Sequence, residues 1–193
     1  MAWNAYMLMR LAREHDLPMF TAFALFLEGL AKADAASMGG LEDMRRGVDL
    51  LRDLNVLLFD GLLKIALSEA EARVGDSARA IATLDEALAT SDRAGYRTFE
   101  AELHRVRGEL LLKREPDNHI SGEEAFKTAI AIARGQGARS FELRAALGLA
   151  KLYQSNGRPI EARTILAPAL DGFPPTPEML EMAEAQALLG NMT

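Results

Sequence analysis

Apolar positions along the chain recur at helical spacing, and from about residue 55 the whole pattern recurs at a fixed period. Three helix faces each begin with a phenylalanine and continue with apolar or small residues four, seven and eleven positions later. The phenylalanines are Phe59, Phe99 and Phe141, which stand 40 and 42 residues apart. The same helical face thus occurs three times, and a period of this size is typical of helical-repeat proteins. We expect all three rings to be buried at equivalent junctions between helices.

Each of these helices is followed by a turn and a second helix that also repeats. Gly75 and Gly157 stand sixteen residues after their phenylalanines, where a left-handed glycine can end a helix. The middle repeat has a Glu-Pro-Asp-Asn loop at residues 115–118 instead. Gly95 and Gly137 are predicted to end the second helix of the first and of the middle repeat. These helices alternate small and large residues, so that neighbouring helices can approach closely and interlock.

The two ends of the chain are less regular than its middle. The apolar spacing predicts helices over residues 2–15, 19–37 and 41–54. Gly39 and Gly40 are expected to end the second of these helices. At the other end, the proline-rich stretch 173–177 stops the last regular repeat, and a final helix follows over 178–189. Its apolar face is predicted to hold Leu180, Ala183 and Ala187, and its wet face Glu178, Glu181 and Glu184.

The whole pattern predicts an all-α fold. We expect a right-handed α-solenoid of about ten antiparallel helices in about five pairs. It would form a single domain over residues 1–193. About residues 1–54 are its less regular N-terminal pairs, 55–173 its regular repeats and 174–193 its C-terminal cap.

Composition narrows the classes of function. Of the 193 residues 49% are hydrophobic, so the chain is not a disordered one. The net charge of −6 argues against general binding to a phosphate backbone, and we expect no nucleic-acid partner. The chain has no cysteine, which excludes disulfides, zinc–thiolate sites and thiol nucleophiles. The N-terminal residues lack the pattern of a signal peptide, and no apolar stretch is long enough to span a membrane. We therefore expect a cytoplasmic protein without a membrane partner.

No motif of catalytic or cofactor chemistry stands in the chain. It has no phosphate-binding loop of the form Gly-x-x-x-x-Gly-Lys-Ser/Thr and no His-Glu-x-x-His. Most carboxylates lie at helical spacing from an arginine or lysine, as Arg105 and Glu109 do, which is typical of a solvated helix face. The sequence therefore predicts no catalytic, cofactor-binding or metal-binding residue, and a protein that is not an enzyme.

One repeat resembles the tetratricopeptide signature, in which small and large residues alternate across a helix–turn–helix. The matching positions are Leu149, Ala150, Tyr153, Gly157, Ala162, Leu166 and Ala169. The first of the three repeats, around Gly75, matches in its second half, but Glu71 replaces the usual aromatic residue. The 40–42-residue period exceeds the usual 34, so these repeats would be long and divergent.

Three longer runs carry a more specific resemblance. Residues 100–112, 133–140 and 161–168 together resemble the C-terminal repeat region of large bacterial ATPase-linked regulators, including those fused to class III adenylyl or guanylyl cyclase domains. In that family the cyclase and ATPase modules precede the repeats. Neither module is in this chain, so no activity carries over. The resemblance implies the sensor or scaffold end of a bacterial signalling or transcriptional regulator.

The resemblance also implies a binding face. In tetratricopeptide arrays the first helix of each pair lines a concave groove. The charged and polar residues that map to this groove are Glu69, Arg73, Glu102, Arg105, Glu109, Lys113, Arg144, Lys151 and Gln154. They either solvate a helix face or form a mixed-charge cradle for a ligand.

Three functions are compatible with this pattern. The leading one is a non-enzymatic interaction module that recognises a protein or peptide partner, or an effector domain of a longer chain. The alternative is a metabolite sensor binding in the groove. An enclosed polar pocket would favour the sensor, and an open groove would favour protein contact. An enzyme on a helical scaffold would require a cluster of titratable residues that the sequence does not offer.

The N-terminal helix does not have the polar outer face of a capping helix. Trp3, Tyr6 and Met7 crowd it with apolar surface. Because large exposed apolar patches usually mark contacts, we expect self-association through residues 1–30, most simply as a two-fold dimer. The alternative is a monomer in which Trp3 and Met7 fold back onto the next helix.

Overall fold

The structure is a computed structural model, and it describes residues 2–33, 38–174 and 179–192. The described residues form an all-α fold whose helices pack sequentially in adjacent antiparallel pairs, consistent with the helical-repeat arrangement predicted from the sequence. The helices within these ranges are α1 (Ala2–Glu14), α2 (Pro18–Ala33), α3 (Met38–Asp53), α4 (Asp60–Arg73), α5 (Ser77–Ala94), α6 (Glu100–Arg114), α7 (His119–Gln136), α8 (Arg139–Ser155), α9 (Pro159–Leu170) and α10 (Leu180–Gly190).

The helices fall into two compact units. The first covers residues 1–99 and holds α1 to α5; the second covers residues 100–193 and holds α6 to α10. In the first unit each helix packs on the next, and α2 also reaches α4. In the second unit α8 is central, since it contacts α6, α7, α9 and α10. Each unit has its own apolar core, built around Phe26 and Met44 in the first and Phe126 and Leu143 in the second.

The turns between helices confirm the predicted role of glycine. Gly75, Gly95, Gly137 and Gly157 have φ angles of 91°, 75°, 66° and 70°. Each follows a helix end, where a left-handed residue satisfies helix carbonyl groups that lack a partner within the helix. Most side chains disfavour this conformation, so glycine is the favoured residue at these positions.

The prediction of three buried phenylalanines is wrong. Phe59 is 39% exposed, and Phe99 and Phe141 are only half-buried. Phe59 precedes the first residue of α4, where the chain turns into the helix, and its ring makes a T-shaped contact with the ring of Phe23, with 5.6 Å between the centroids. The repeat core begins one turn later, with residues such as Leu63 and Leu103.

Gly39 and Gly40 do not end a helix as the sequence suggested. Both lie inside α3, and Gly40 is buried. A Cβ on Gly40 would lie 2.6 Å from the backbone nitrogen of Ala33, and one on Gly29 would lie 2.6 Å from the carbonyl oxygen of Gly40. The glycines are therefore explained by the close approach of the α2 and α3 backbones rather than by a turn.

The C-terminal helix is rotated from its predicted orientation. It buries Met182 and Ala185, whereas Leu180 is 72% exposed. Glu178 lies outside the described residues. Along the described part of the chain, no helix combines the length and apolar character needed to cross a membrane.

Candidate functional site

The nine predicted groove residues lie on the first helices of the pairs, as expected. Glu69 and Arg73 are exposed on α4 of the first unit. The other seven lie on α6 and α8, which contact each other in the second unit. Of these, Gln154 is exposed near the end of α8. The remaining six fall into a buried ion-pair network and an adjoining surface cleft.

The ion-pair network is centred on Arg105, which is only 6% exposed. Its Nε and Nη2 atoms donate to the two carboxylate oxygens of Glu102 at 2.9 and 2.8 Å, and its Nη1 donates to Glu109 Oε1 at 2.6 Å. The predicted pair of Arg105 and Glu109 is therefore confirmed. From α8, Arg144 Nη1 reaches Glu102 Oε1 at 2.6 Å. Glu102 is thus held by two guanidinium groups.

These contacts satisfy charges that would otherwise be costly to bury. Burial by itself lowers the pKa of Arg105, but the hydrogen bonds and charges of Glu102 and Glu109 outweigh it and raise its pKa above the ordinary arginine value. Removing one partner of such a pair leaves an uncompensated buried charge. Glu102 and Arg105 therefore hold α6 together internally and present little charge to a ligand.

The C-terminal helix completes the network. Arg144 Nε lies 3.1 Å from Glu181 Oε1, and Lys151 Nζ lies 2.5 Å from Glu184 Oε2. Glu181 and Glu184, two of the three glutamates predicted to form the solvent-facing side of α10, pair with residues of α8. Because α10 brings its own carboxylates to two of the predicted groove residues, that part of the predicted face is already occupied by the chain itself.

A surface cleft of about 570 Å³ opens between α6, α7 and α8. Three of the predicted groove residues converge on it, and its other lining residues come from the α6–α7 loop and from the apolar sides of the three helices. The lining residues are Glu109, Leu112, Lys113, Pro116, His119, Phe126, Gly148, Lys151, Leu152 and Ser155.

The floor of the cleft is apolar and owes its shape to one small residue. A Cβ on Gly148 would lie 2.7 Å from Cε1 of the Phe126 ring, so the ring packs directly against the backbone of α8. Leu112 and Leu152 flank this contact. Sequence reasoning placed Gly148 on the repeating face but missed the floor. Its one signal was a glycine where the other repeats have Ala66 and Val106.

The rim of the cleft is positively charged on balance. Lys113 is exposed and forms no ion pair with any residue that the structure describes. Lys151 shares its charge with Glu184, and Glu109 is engaged by Arg105. An anionic group beside an apolar one would therefore meet complementary surfaces at the rim and floor.

A second polar cluster ties α7, α8 and α9 together around the signature tyrosine. The hydroxyl of Tyr153 donates to Glu123 Oε1 at 2.9 Å, and the Arg158 guanidinium lies 4.1 Å from the centre of the Tyr153 ring. Burial raises the pKa of Glu123, but hydrogen bonds from Lys127, Arg158 and Tyr153 outweigh burial and lower it to about 2.

In the first unit, the position that corresponds to Tyr153 holds Glu71, which is fully buried and hydrogen-bonded through both carboxylate oxygens. Glu71 accepts hydrogen bonds from Arg45 Nε and Nη2 at 3.1 and 2.8 Å and from Thr83 Oγ1 at 2.7 Å. The departure from the tetratricopeptide pattern at this position is thus compensated by an arginine of α3. Sequence reasoning could not find that partner, because it lies 26 residues away.

A further buried pair in the first unit was also missed. Lys64 is 2% exposed, and its Nζ lies 3.2 Å from both Asp60 Oδ1 and Glu86 Oε1, at angles that make no hydrogen bond. Burial raises the pKa of Asp60, while the neighbouring Lys64 lowers it and Glu86 raises it further. Lys64 and Asp60 both lie on α4, and the contact of Lys64 with Glu86 links α4 to α5.

Metal-binding chemistry finds no support in the described ranges, which contain no group of three or more His, Cys, Asp or Glu residues placed to hold an ion. The chain matches no protein-family model, and no curated protein is significantly similar to it.

Proposed function

We propose that this chain is a non-enzymatic, tetratricopeptide-like interaction module, and that the α6–α8 cleft binds a short acidic–apolar segment of a partner protein. The observation that carries the proposal is an apolar floor next to Lys113, which forms no ion pair with a described residue, at the rim of the same cleft. A peptide with a leucine or phenylalanine beside a glutamate presents the complementary groups.

The shape of the cleft supports a peptide over an enclosed metabolite. Four of its lining residues, Lys113, Pro116, Lys151 and Ser155, are exposed. An extended segment can enter such an open site and leave again at either side. Glu102 and Arg105 are engaged with each other and do not line the cleft, so the charge that a ligand would meet comes from the lysines at its rim.

The wider role follows from the sequence resemblance. As the partner-binding part of a larger bacterial signalling or transcriptional regulator, the module would act in the cytoplasm and couple recognition to an effector domain. The effector would supply any catalytic step, and this chain would supply the recognition.

Fluorescence anisotropy with dye-labelled hexapeptides tests the proposal. One set carries leucine and phenylalanine flanked by glutamates, and the matched set carries lysines instead. We expect saturable binding of the acidic set only, weakened at least about tenfold by Lys113→Glu because reversal places like charges together. Arg163→Glu is the matched control, since Arg163 is exposed on α9 and lines no part of the cleft.

Two results would overturn the peptide proposal. One is the absence of saturable binding with either set, and the other is an equal loss of affinity in Lys113→Glu and Arg163→Glu. The volume of about 570 Å³ also lies in the range of small-molecule sites. Binding of hexanoate or glutarate that depends on Lys113, without binding of the peptides, would therefore favour a metabolite sensor.

A further inference from the structure

The outer face of α1 exposes two large aromatic side chains, Trp3 and Tyr6. Among the described helices of this unit, α1 packs on α2 alone, through Ala5, Met9 and Ala12. Trp3 is 70% exposed and Tyr6 is 55% exposed, with their ring centroids 6.1 Å apart. Trp3 therefore does not fold back onto α2, as the monomeric alternative required.

The same face of α1 continues with two arginines. Arg10 and Arg13 are exposed and form no ion pair with any described residue. At 3.6 residues per turn, positions 3, 6, 10 and 13 fall within an arc of about 80°. One helix face thus has an aromatic half followed by a cationic half.

The spacing of these four residues is symmetric. Trp3 and Arg13 are equidistant from position 8, and so are Tyr6 and Arg10. If two copies of α1 lie antiparallel about a two-fold axis near position 8, each ring meets a guanidinium group of the second copy. Arginine over an aromatic face is a favourable contact, and it strengthens as the pair is removed from water.

We propose that α1 pairs with α1 of a second copy of this chain in this antiparallel register, Trp3 against Arg13 and Tyr6 against Arg10. The interface is isologous: each copy offers the same face and receives the same face, so the assembly closes as a dimer. The complement of the aromatic half lies on the same helix at the matching distance, and for this reason the argument points to a second copy.

An apolar cleft beside Arg13 supports the same register. It has a volume of about 580 Å³ and lies where the end of α1, the start of α2 and the end of α3 meet. Its apolar lining is formed by Ala12, Leu17, Pro18, Leu50 and Leu54. The register brings Trp3 of the second copy to the level of Ala12 and Arg13, at the mouth of this cleft. Each copy therefore presents a large aromatic side chain and an apolar cleft that can receive one.

The dimer does not rest on the α6–α8 cleft, so it can be tested separately. Trp3 is the single tryptophan of the chain, so its emission reports on the proposed interface directly. In sedimentation equilibrium of the 193-residue chain we expect the mass to double with concentration. The Trp3 emission should shift to the blue over the same range as its ring leaves water.

Exposed residues elsewhere on the chain provide matched controls. Tyr6→Ala and Arg10→Glu should each weaken association at least about tenfold, whereas Tyr96→Ala and Arg46→Glu should leave it unchanged. Tyr96 is 49% exposed, close to the value for Tyr6, and Arg46 is an exposed arginine of α3.

Exchanging two residues tests the register itself. Tyr6→Arg alone should weaken the dimer, since it places guanidinium groups against each other, and Arg10→Tyr is then added to it. The double variant should restore it, because a ring again faces a guanidinium group across the axis. A monomer at all concentrations, a larger assembly, a dimer insensitive to Tyr6→Ala, or a double variant no better than Tyr6→Arg alone would each overturn the proposal. A partner of different chemistry, or another segment of a longer chain, would leave the isolated chain monomeric.

Discussion

Replacing Gly29 by alanine should destabilise the first unit even though alanine is the better helix former. A Cβ at this position would lie 2.6 Å from the carbonyl oxygen of Gly40 and 2.7 Å from the backbone nitrogen of Met44. Both contacts are shorter than the 3.0 Å that real Cβ atoms respect. Because they involve backbone atoms, no side-chain rotation can relieve them, and α2 and α3 must move apart.

The size of the effect follows from two opposing contributions. Overpacking a well-packed contact typically costs up to about 3 kcal/mol. Replacing a mid-helix glycine by alanine returns about 1 kcal/mol through helix propensity. We therefore expect a net loss of about 2 kcal/mol, which corresponds to a fall in Tm of about 4–8 °C for a chain of this size. Gly29→Ala and Gly40→Ala combined should cost less than their sum, since the first already separates the helices.

Gly135→Ala is the matched control. Gly135 lies in α7, and a Cβ there would meet no atom within 4 Å. The same substitution should therefore raise stability, by about 0.5 kcal/mol. Thermal and urea unfolding followed by circular dichroism measure both variants. A Tm of Gly29→Ala at or above that of the parent chain would refute the close-approach argument, as would an equal loss in Gly135→Ala.

Three further predictions concern other contacts. Gly108→Ala should be tolerated, whereas Gly108→Leu should lower the free energy of unfolding by about 2 kcal/mol. The reason is that a Cβ at this position meets its nearest neighbours at 3.2–3.3 Å and leaves no room for a larger side chain. Equal urea midpoints for the two variants would contradict this. Because the pKa of Glu123 is lowered, its carboxylate stabilises the fold at pH values above the ordinary carboxyl pKa, and this contribution is lost as the pH falls towards 2. Glu123→Gln should therefore reduce the pH dependence of the unfolding free energy by about 1–2 kcal/mol after allowance for solvent screening. Lys64→Met should cost about 3 kcal/mol by leaving Asp60 buried without its cation. Asp60→Leu added to it should recover most of the loss, and no recovery in urea unfolding would contradict this explanation.

The α6–α8 cleft could be predicted only in part. Glu109, Lys113 and Lys151 were assigned to one face by their helical spacing, and they do meet at its rim. The floor could not be assigned, because it depends on how deeply the Phe126 ring enters the space left by Gly148. That depth is set by the packing of α7 against α8, which no local pattern specifies.

The helical spacing of charged residues did not show which of them are buried and which are exposed. Glu102, Arg105 and Lys113 look alike in the sequence, as polar residues on a repeating face. The structure buries the first two in an ion-pair network and leaves the third exposed. Glu102 has a second cation, Arg144 of α8, which lies 42 residues further along the chain and is itself paired with Glu181 of α10.

The sequence by itself determined the features that depend on a residue and its near neighbours. Helical period placed the repeated helices, and the need for a left-handed residue placed Gly75, Gly95, Gly137 and Gly157 at their ends. Only the tertiary structure decided the role of Gly40, the orientation of α10 and the partner of Glu71. The sequence alone does not distinguish a glycine in a turn from a glycine where two helices cross, because the difference lies in whether another backbone approaches it. Apolar spacing fixes which residues can share a face, whereas the neighbouring helices decide which part of that face is covered.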